Sequence, residues 1–121
     1  MQDGLIDWLH RLAKLSHAEL AAKFDVSAQT KLMKLVELCV SGVVVPTDLS
    51  AEEFAQWIHD LRDSERDWNR SLGVAILSAE DAHTAGDAAG AARSLRDFAS
   101  QCAWLPLREI AEGEARRHEC K

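Results

Sequence analysis

An all-α fold is the prediction, and three observations carry it. Glycine and proline are scarce, six and two in 121 residues, so little interrupts a helix. Apolar residues recur at i, i+3, i+4 and i+7 along most of the chain, the period of an amphipathic helix. The one strand-like run, Val43-Val44-Val45-Pro46, is too short to build a sheet and reads as an extended, partly buried connection. Hydrophobic residues make up 47% of the chain, enough for a core. A chain of this length buries about two-thirds of the surface of its unfolded form. The expected architecture is a single helical domain over residues 1–121, a bundle of six to seven helices with a C-terminal helical hairpin and no sheet.

Leu5, Ile6, Trp8, Leu9, Leu12 and Leu15 make residues 3–15 an amphipathic helix. Ser16 followed by Glu19 has the spacing of a capping box, opening a short helix through Phe24. Ser27 caps the next, with Leu32, Leu35, Val36, Cys39 and Val40 on one face and Gly42 as its stop. Ser50 and Glu53 repeat the capping box before Phe54, Trp57, Ile58 and Leu61, and the apolar phase runs on through Trp68, Leu72, Ala75, Ile76 and Ala79. One long helix over 51–85, or two meeting near Ser64, fits that pattern. Glu65 falls on the apolar face of a continuous helix, which favours a break at Ser64. Gly86 stops this segment and Asp87 caps the next, whose core face is Ala91, Leu95, Phe98, Ala99 and Cys102. Pro106 starts a last helix through Arg117, with Leu107, Ile110, Ala111 and Glu114 in register.

Charge is distributed unevenly. Residues 1–47 hold five acids and five bases, and residues 91–121 five acids and six bases. Between them, residues 48–90 hold ten acids and three bases, which accounts for the formal net charge of −6. On a helical wheel Glu52, Glu53, Gln56, Asp60, Asp63 and Asp67 cluster opposite Phe54, Trp57, Ile58, Leu61 and Trp68, with no base inside the stripe. Arg62, Arg66 and His59 lie on the flank. Like charges at i, i+3 and i, i+4 repel by a few tenths of a kcal/mol per pair, and a surface helix selected for stability alone interleaves lysines. The pattern reads either as a solvated acidic surface or as a docking face for a basic partner.

Catalytic and metal signatures are missing. No C-x-x-C, H-E-x-x-H or phosphate-loop pattern occurs. His59 with Asp63, Asp81-x-His83 and His118-x-Cys120 are pairs, short of the three or four ligands zinc takes. The expectation is no enzyme, no metal and no cofactor. Cys39 and Cys102 lie on apolar faces and read as core residues, and Cys120 as a thiol at a frayed end. Three widely spaced cysteines argue against a secreted disulfide framework. The start of the chain lacks the basic and apolar regions of a signal peptide, and no stretch approaches the ~18 apolar residues of a membrane span. A cytoplasmic protein with no membrane partner is expected.

Residues 20–31, Leu-Ala-Ala-Lys-Phe-Asp-Val-Ser-Ala-Gln-Thr-Lys, resemble a helix-turn-helix. In DNA-binding versions Gln29, Thr30, Lys31 and Lys34 would face the groove. The departure is Asp25 at the turn position where glycine is usual, tolerable because Asp can adopt the left-handed conformation. Electrostatics oppose this alternative, since DNA affinity rests on phosphate neutralisation and the N-terminal half has no basic surplus. No nucleic-acid partner is therefore expected.

The run Ala79-Glu80-Asp81-Ala82-His83-Thr84-Ala85-Gly86-Asp87-Ala88-Ala89-Gly90-Ala91 is similar to the turn of tetratricopeptide-like hairpins, although no 34-residue period repeats. With Leu95, Phe98, Cys102, Trp104, Pro106, Leu107, Arg108, Ile110, Ala111 and Glu112, it resembles the C-terminal part of small all-α bacterial immunity proteins, those of contact-dependent inhibition and related polymorphic-toxin systems. That resemblance covers about a third of the chain, mainly residues 79–117. It implies a cytoplasmic toxin inhibitor acting by protein–protein interaction, which binds a cognate toxin domain, often a nuclease, without catalysis. It supplies no binding residues. The stripe of Glu52, Glu53, Gln56, Asp60, Asp63 and Asp67, with Glu80, Asp81 and Asp87 as possible helpers, is read from the residues themselves. A protein–protein adaptor with a different partner is the third alternative.

Overall fold

Capping side chains decide where four of the helices of this chain begin. The computed structural model describes residues 2–119, and among them lie six helices and no strand: α1 (Gln2–Leu12), α2 (His17–Lys23), α3 (Val26–Cys39), α4 (Ala51–Thr84), α5 (Ala88–Gln101) and α6 (Leu105–Glu119). The fold class is all-α, as the periodicity predicts. Both expected capping boxes form. Ser16 Oγ accepts from the Glu19 backbone N–H at 3.2 Å while Ser16 N–H donates to Glu19 Oε1 at 3.0 Å. Ser50 and Glu53 make the same reciprocal pair at 3.1 and 2.8 Å. At the other end of α4, Gly86 has φ +94°. Its N–H donates to His83 O at 3.0 Å, and the Asp87 N–H reaches Ala82 O at 2.8 Å, the paired bonds of a Schellman stop.

Several local expectations are corrected. The first helix closes at Leu12 rather than Leu15, because turn bonds from Lys14 to Arg11 and from Leu15 to Leu12 take over. Asp25, not Ser27, caps α3: its Oδ1 accepts from the Ala28 N–H at 2.7 Å. The backbone there is extended, with φ −154°, so the left-handed turn of the helix-turn-helix resemblance does not form. Helix α4 does not break at Ser64. Glu65, the charge that argued for a break, is satisfied where it lies, since its Oε1 accepts from His10 Nε2 and from Arg62 Nη1, each at 2.7 Å. A paired carboxylate can stay on an inward face without ending the helix. In α6 the buried stripe is Leu107, Ala111, Ala115 and His118. Ile110, expected in register, is 48% exposed.

Packing divides the chain into two compact units, Met1–Glu65 and Arg66–Lys121, with the division inside α4. In the first, α1 packs on α3. Leu9, Leu20, Leu32, Leu35, Phe54 and Ile58 are fully buried, each worth about 1.5–3 kcal/mol of transfer free energy. The rings of Trp8 and Phe24 tilt against Phe54 with centroids 6.4 and 5.2 Å apart. Val45 is buried while Val43 and Val44 are exposed, so the extended connection is anchored by one of its three valines.

In the second unit α5 packs along α6. Ala79, Ala91, Ala92, Leu95 and Ala115 form one cluster, with Ala75, Ile76 and Ala82 against it. Alanines predominate, so the backbones approach closely. Trp68 meets Phe98 edge-on at 5.9 Å. Cys102 and Trp104 are buried at the α5–α6 connection, and Arg108 donates to Cys102 O at 2.7 Å, satisfying a carbonyl at the end of α5. Cys39 is likewise a buried thiol. Burial pushes the Cys102 thiol above its ordinary range, which makes it a poor nucleophile. The expectation for Cys120 lies outside the described residues.

Candidate protein-docking face

The stripe chosen on the helical wheel is exposed throughout: Glu52, Glu53, Gln56, Asp60, Asp63 and Asp67 all face solvent. Phe54, Ile58 and Leu61, on the opposite side of α4, are buried. That opposition is what a 100° step per residue dictates once the apolar third is fixed to a core. Trp57 and Trp68 are half-buried.

The six residues are not equally available. Glu53 is occupied in its capping box, where its carboxylate holds the Ser50 N–H. Asp60 Oδ1 accepts from Gln56 Nε2 at 2.7 Å, which fixes its side chain while leaving its charge uncompensated. Asp67 lies in the second unit and faces Arg70 at 3.6 Å, an exposed pair. Glu52 and Asp63 have no ion-pair partner among the described residues. Arg62, the nearest flanking base, is turned inward onto Glu65. The first unit thus presents Glu52, Asp60 and Asp63 as carboxylates that no base neutralises.

The expected helpers in the second unit are largely engaged. Asp87 caps α5, its Oδ1 accepting from the Gly90 N–H at 2.9 Å. Glu80 is paired with Arg117. Asp81 is exposed.

Two of the four residues of the helix-turn-helix alternative are tied to backbone carbonyls. Gln29 Nε2 donates to Pro46 O at 2.7 Å, tying the extended connection to α3. Thr30 Oγ1 donates to Val26 O within the helix. Thr30, Lys31 and Lys34 are all exposed. A cleft of about 630 Å³ opens beside Trp8, Phe24 and Phe54, with Lys23 and Lys31 on its lining.

A cluster absent from the sequence-based list lies in the second unit. His83 of α4 and His118 of α6 meet with Nδ1 atoms 2.7 Å apart and rings 4.8 Å between centroids. Arg117 bridges Glu80 and Glu114, the latter at 2.7 Å, and the two carboxylates hold the guanidinium above its ordinary pKa, Glu114 more strongly. Thirty-five residues separate the two histidines, so no short motif contains both. The available signal was the i, i+4, i+8, i+11 phase of Leu107, Ala111, Ala115 and His118, which places that histidine inward. No family model, no curated protein and no solved structure matches this chain.

Proposed function

We propose that this chain is a non-enzymatic binding protein that docks a basic protein partner through the acidic face of α4, and that it acts as the immunity protein of a bacterial toxin. The observation that carries the docking face is the set Glu52, Asp60 and Asp63, exposed on one side of α4 with no base among them while Arg62 is drawn inward to Glu65. Stability alone does not account for Asp60 and Asp63, since like charges one turn apart repel. A basic cleft, such as one that binds nucleic acid, is the complementary surface. The choice of a toxin domain as partner rests on the resemblance of residues 79–117 to immunity proteins. A cytoplasmic site of action follows from the same resemblance.

The test is Asp60→Lys combined with Asp63→Lys. Both side chains are exposed, so the melting temperature should move by no more than a few degrees. Losing desolvated charge pairs costs 2–5 kcal/mol each, so affinity for the partner should fall by at least about a hundredfold. The partner to assay is a toxin domain with a basic cleft, sought first at the C-terminus of any large secreted protein whose gene adjoins that of this chain. Co-expression with that domain should kill cells carrying the double variant and spare cells carrying the parent chain. Protection by the double variant at the parent's level would remove the acidic face as the interface.

A further inference from the structure

Helix α6 buries an imidazole at a position where the other inward residues are Leu and Ala. His118 is 3% exposed, and its Nε2 is a buried nitrogen without a hydrogen-bond partner. Glu80 Oε1 is the nearest acidic atom, at 3.8 Å, too far for a hydrogen bond. Glu114 stands one helical turn before His118 on α6. One ligand atom from each of Glu80, Glu114 and His118 lies within 4.8 Å of the other two, beside a cavity of about 130 Å³ lined by Glu80, His83, Arg117 and His118. A buried polar atom is nearly always satisfied in a folded protein. The carboxylates near it accept from Arg117 and offer Nε2 no donor, whereas a metal ion bridging the three side chains would satisfy the nitrogen.

We propose that Glu80, Glu114 and His118 bind a divalent transition-metal ion of the Zn²⁺ class. One imidazole and two carboxylates form a mixed nitrogen–oxygen donor set suited to such ions. Three protein ligands leave at least one coordination position for water. Zinc bonds of about 2.0–2.2 Å hold tetrahedral neighbours about 3.4 Å apart, so the donors must draw together by about 1 Å. The two glutamates are half-buried, and rotation of their terminal torsions supplies that movement.

The His83 contact completes the site. Two Nδ1 atoms 2.7 Å apart require one to donate and the other to accept. With a metal on His118 Nε2, His118 Nδ1–H donates and His83 Nδ1 accepts, the outer-shell arrangement that orients a ligating imidazole. Arg117 now holds the two carboxylates with its guanidinium. Its side chain is 59% exposed, so it can swing into solvent as the ion enters. It competes with the metal rather than blocking it. The donors come from the C-terminal half of α4 and from α6 alone, so the site stands or falls separately from the docking face.

Titration of the untagged full chain with Zn²⁺ by calorimetry tests the site, with Co²⁺ absorption reporting ligand type. One equivalent should bind and raise the melting temperature, and EDTA should reverse the rise. The Co²⁺ complex should show d–d bands without thiolate charge transfer. His118→Ala risks misfolding because the ring is buried, so Glu80→Gln and Glu114→Gln carry the argument, each expected to weaken binding by about tenfold or more. His83→Ala should weaken it about 10–100-fold, and Arg117→Gln should tighten it. Absence of saturable binding, affinity unchanged in both glutamine variants, or a thiolate band pointing to the cysteines would each overturn the assignment.

Discussion

Two glycines of α4 and its stop show how little a residue's identity says until its φ is known. Gly86 sits at φ +94° and Gly73 inside the helix, and a Cβ added at either meets nothing within 4 Å. Only backbone conformation distinguishes them. Gly86→Ala should destabilise the protein by about 1–2 kcal/mol, the cost of left-handed backbone to an L-residue, and should loosen the turn before α5. Gly73→Ala should stabilise it by about 0.5–1 kcal/mol, because glycine in a helix interior loses the most backbone entropy. Urea denaturation of both variants checks the pair, and equal signs would show that the Gly86 turn is not formed as described. The Gly86 stop was legible in the sequence because Asp87 follows it with capping geometry. The inward turn of His118 was carried by the helical phase it shares with Leu107, Ala111 and Ala115, but its meeting with His83 was not legible, since 35 residues separate the two.

Among the elements, the short helix α2 depends most on its start. Seven residues are too few to hold a helix by propensity, and the Ser16–Glu19 box satisfies two donors that would otherwise be orphaned. The Ser16 backbone N–H first, and its hydroxyl second, hold the Glu19 carboxyl below the ordinary value of 4.5. A carboxyl lowered in the folded state contributes stability that is fully present above the unfolded value and lost as pH falls through the lower, folded one. The amide resonances of Ser16 and Glu19 should therefore titrate with a midpoint below 4.5, and Glu19→Gln should abolish that titration while α2 persists at neutral pH. A midpoint at or above 4.5 in the parent chain would show that the box is open in solution. Helix α4 carries a different lesson. Its continuity past Ser64 was hidden because one of the two partners that make Glu65 acceptable, His10, lies 55 residues away. Local pattern locates a charge on an apolar face, but only tertiary contact says whether that charge is paired.

At the scale of the whole molecule, net charge and its placement govern encounter more than stability. The chain carries −6, with ten acids against three bases in residues 48–90. Part of that excess turned out to be structural: Glu53 and Asp87 cap helices, Glu65 is paired inward and Glu80 is held by Arg117. What the wheel did convey is the exposure of the stripe, because helical phase alone determines it. Which carboxylates are spent on caps and pairs was invisible, since it depends on partners elsewhere in the fold. The remaining exposed charge predicts the kinetics of association with a basic partner. Screening has a length of about 10 Å at 0.1 M salt and about 3 Å at 1 M, so exposed carboxylates steer a partner only at low ionic strength. Raising salt from 0.05 to 0.5 M should slow association by one to three decades while changing the dissociation rate much less. The Asp60→Lys plus Asp63→Lys chain should lose most of that salt dependence. Stopped-flow or surface-plasmon measurements with the proposed toxin partner provide the comparison. An association rate indifferent to salt in the parent chain would mean that the acidic stripe plays no part in bringing the partners together, whatever its role in solubility.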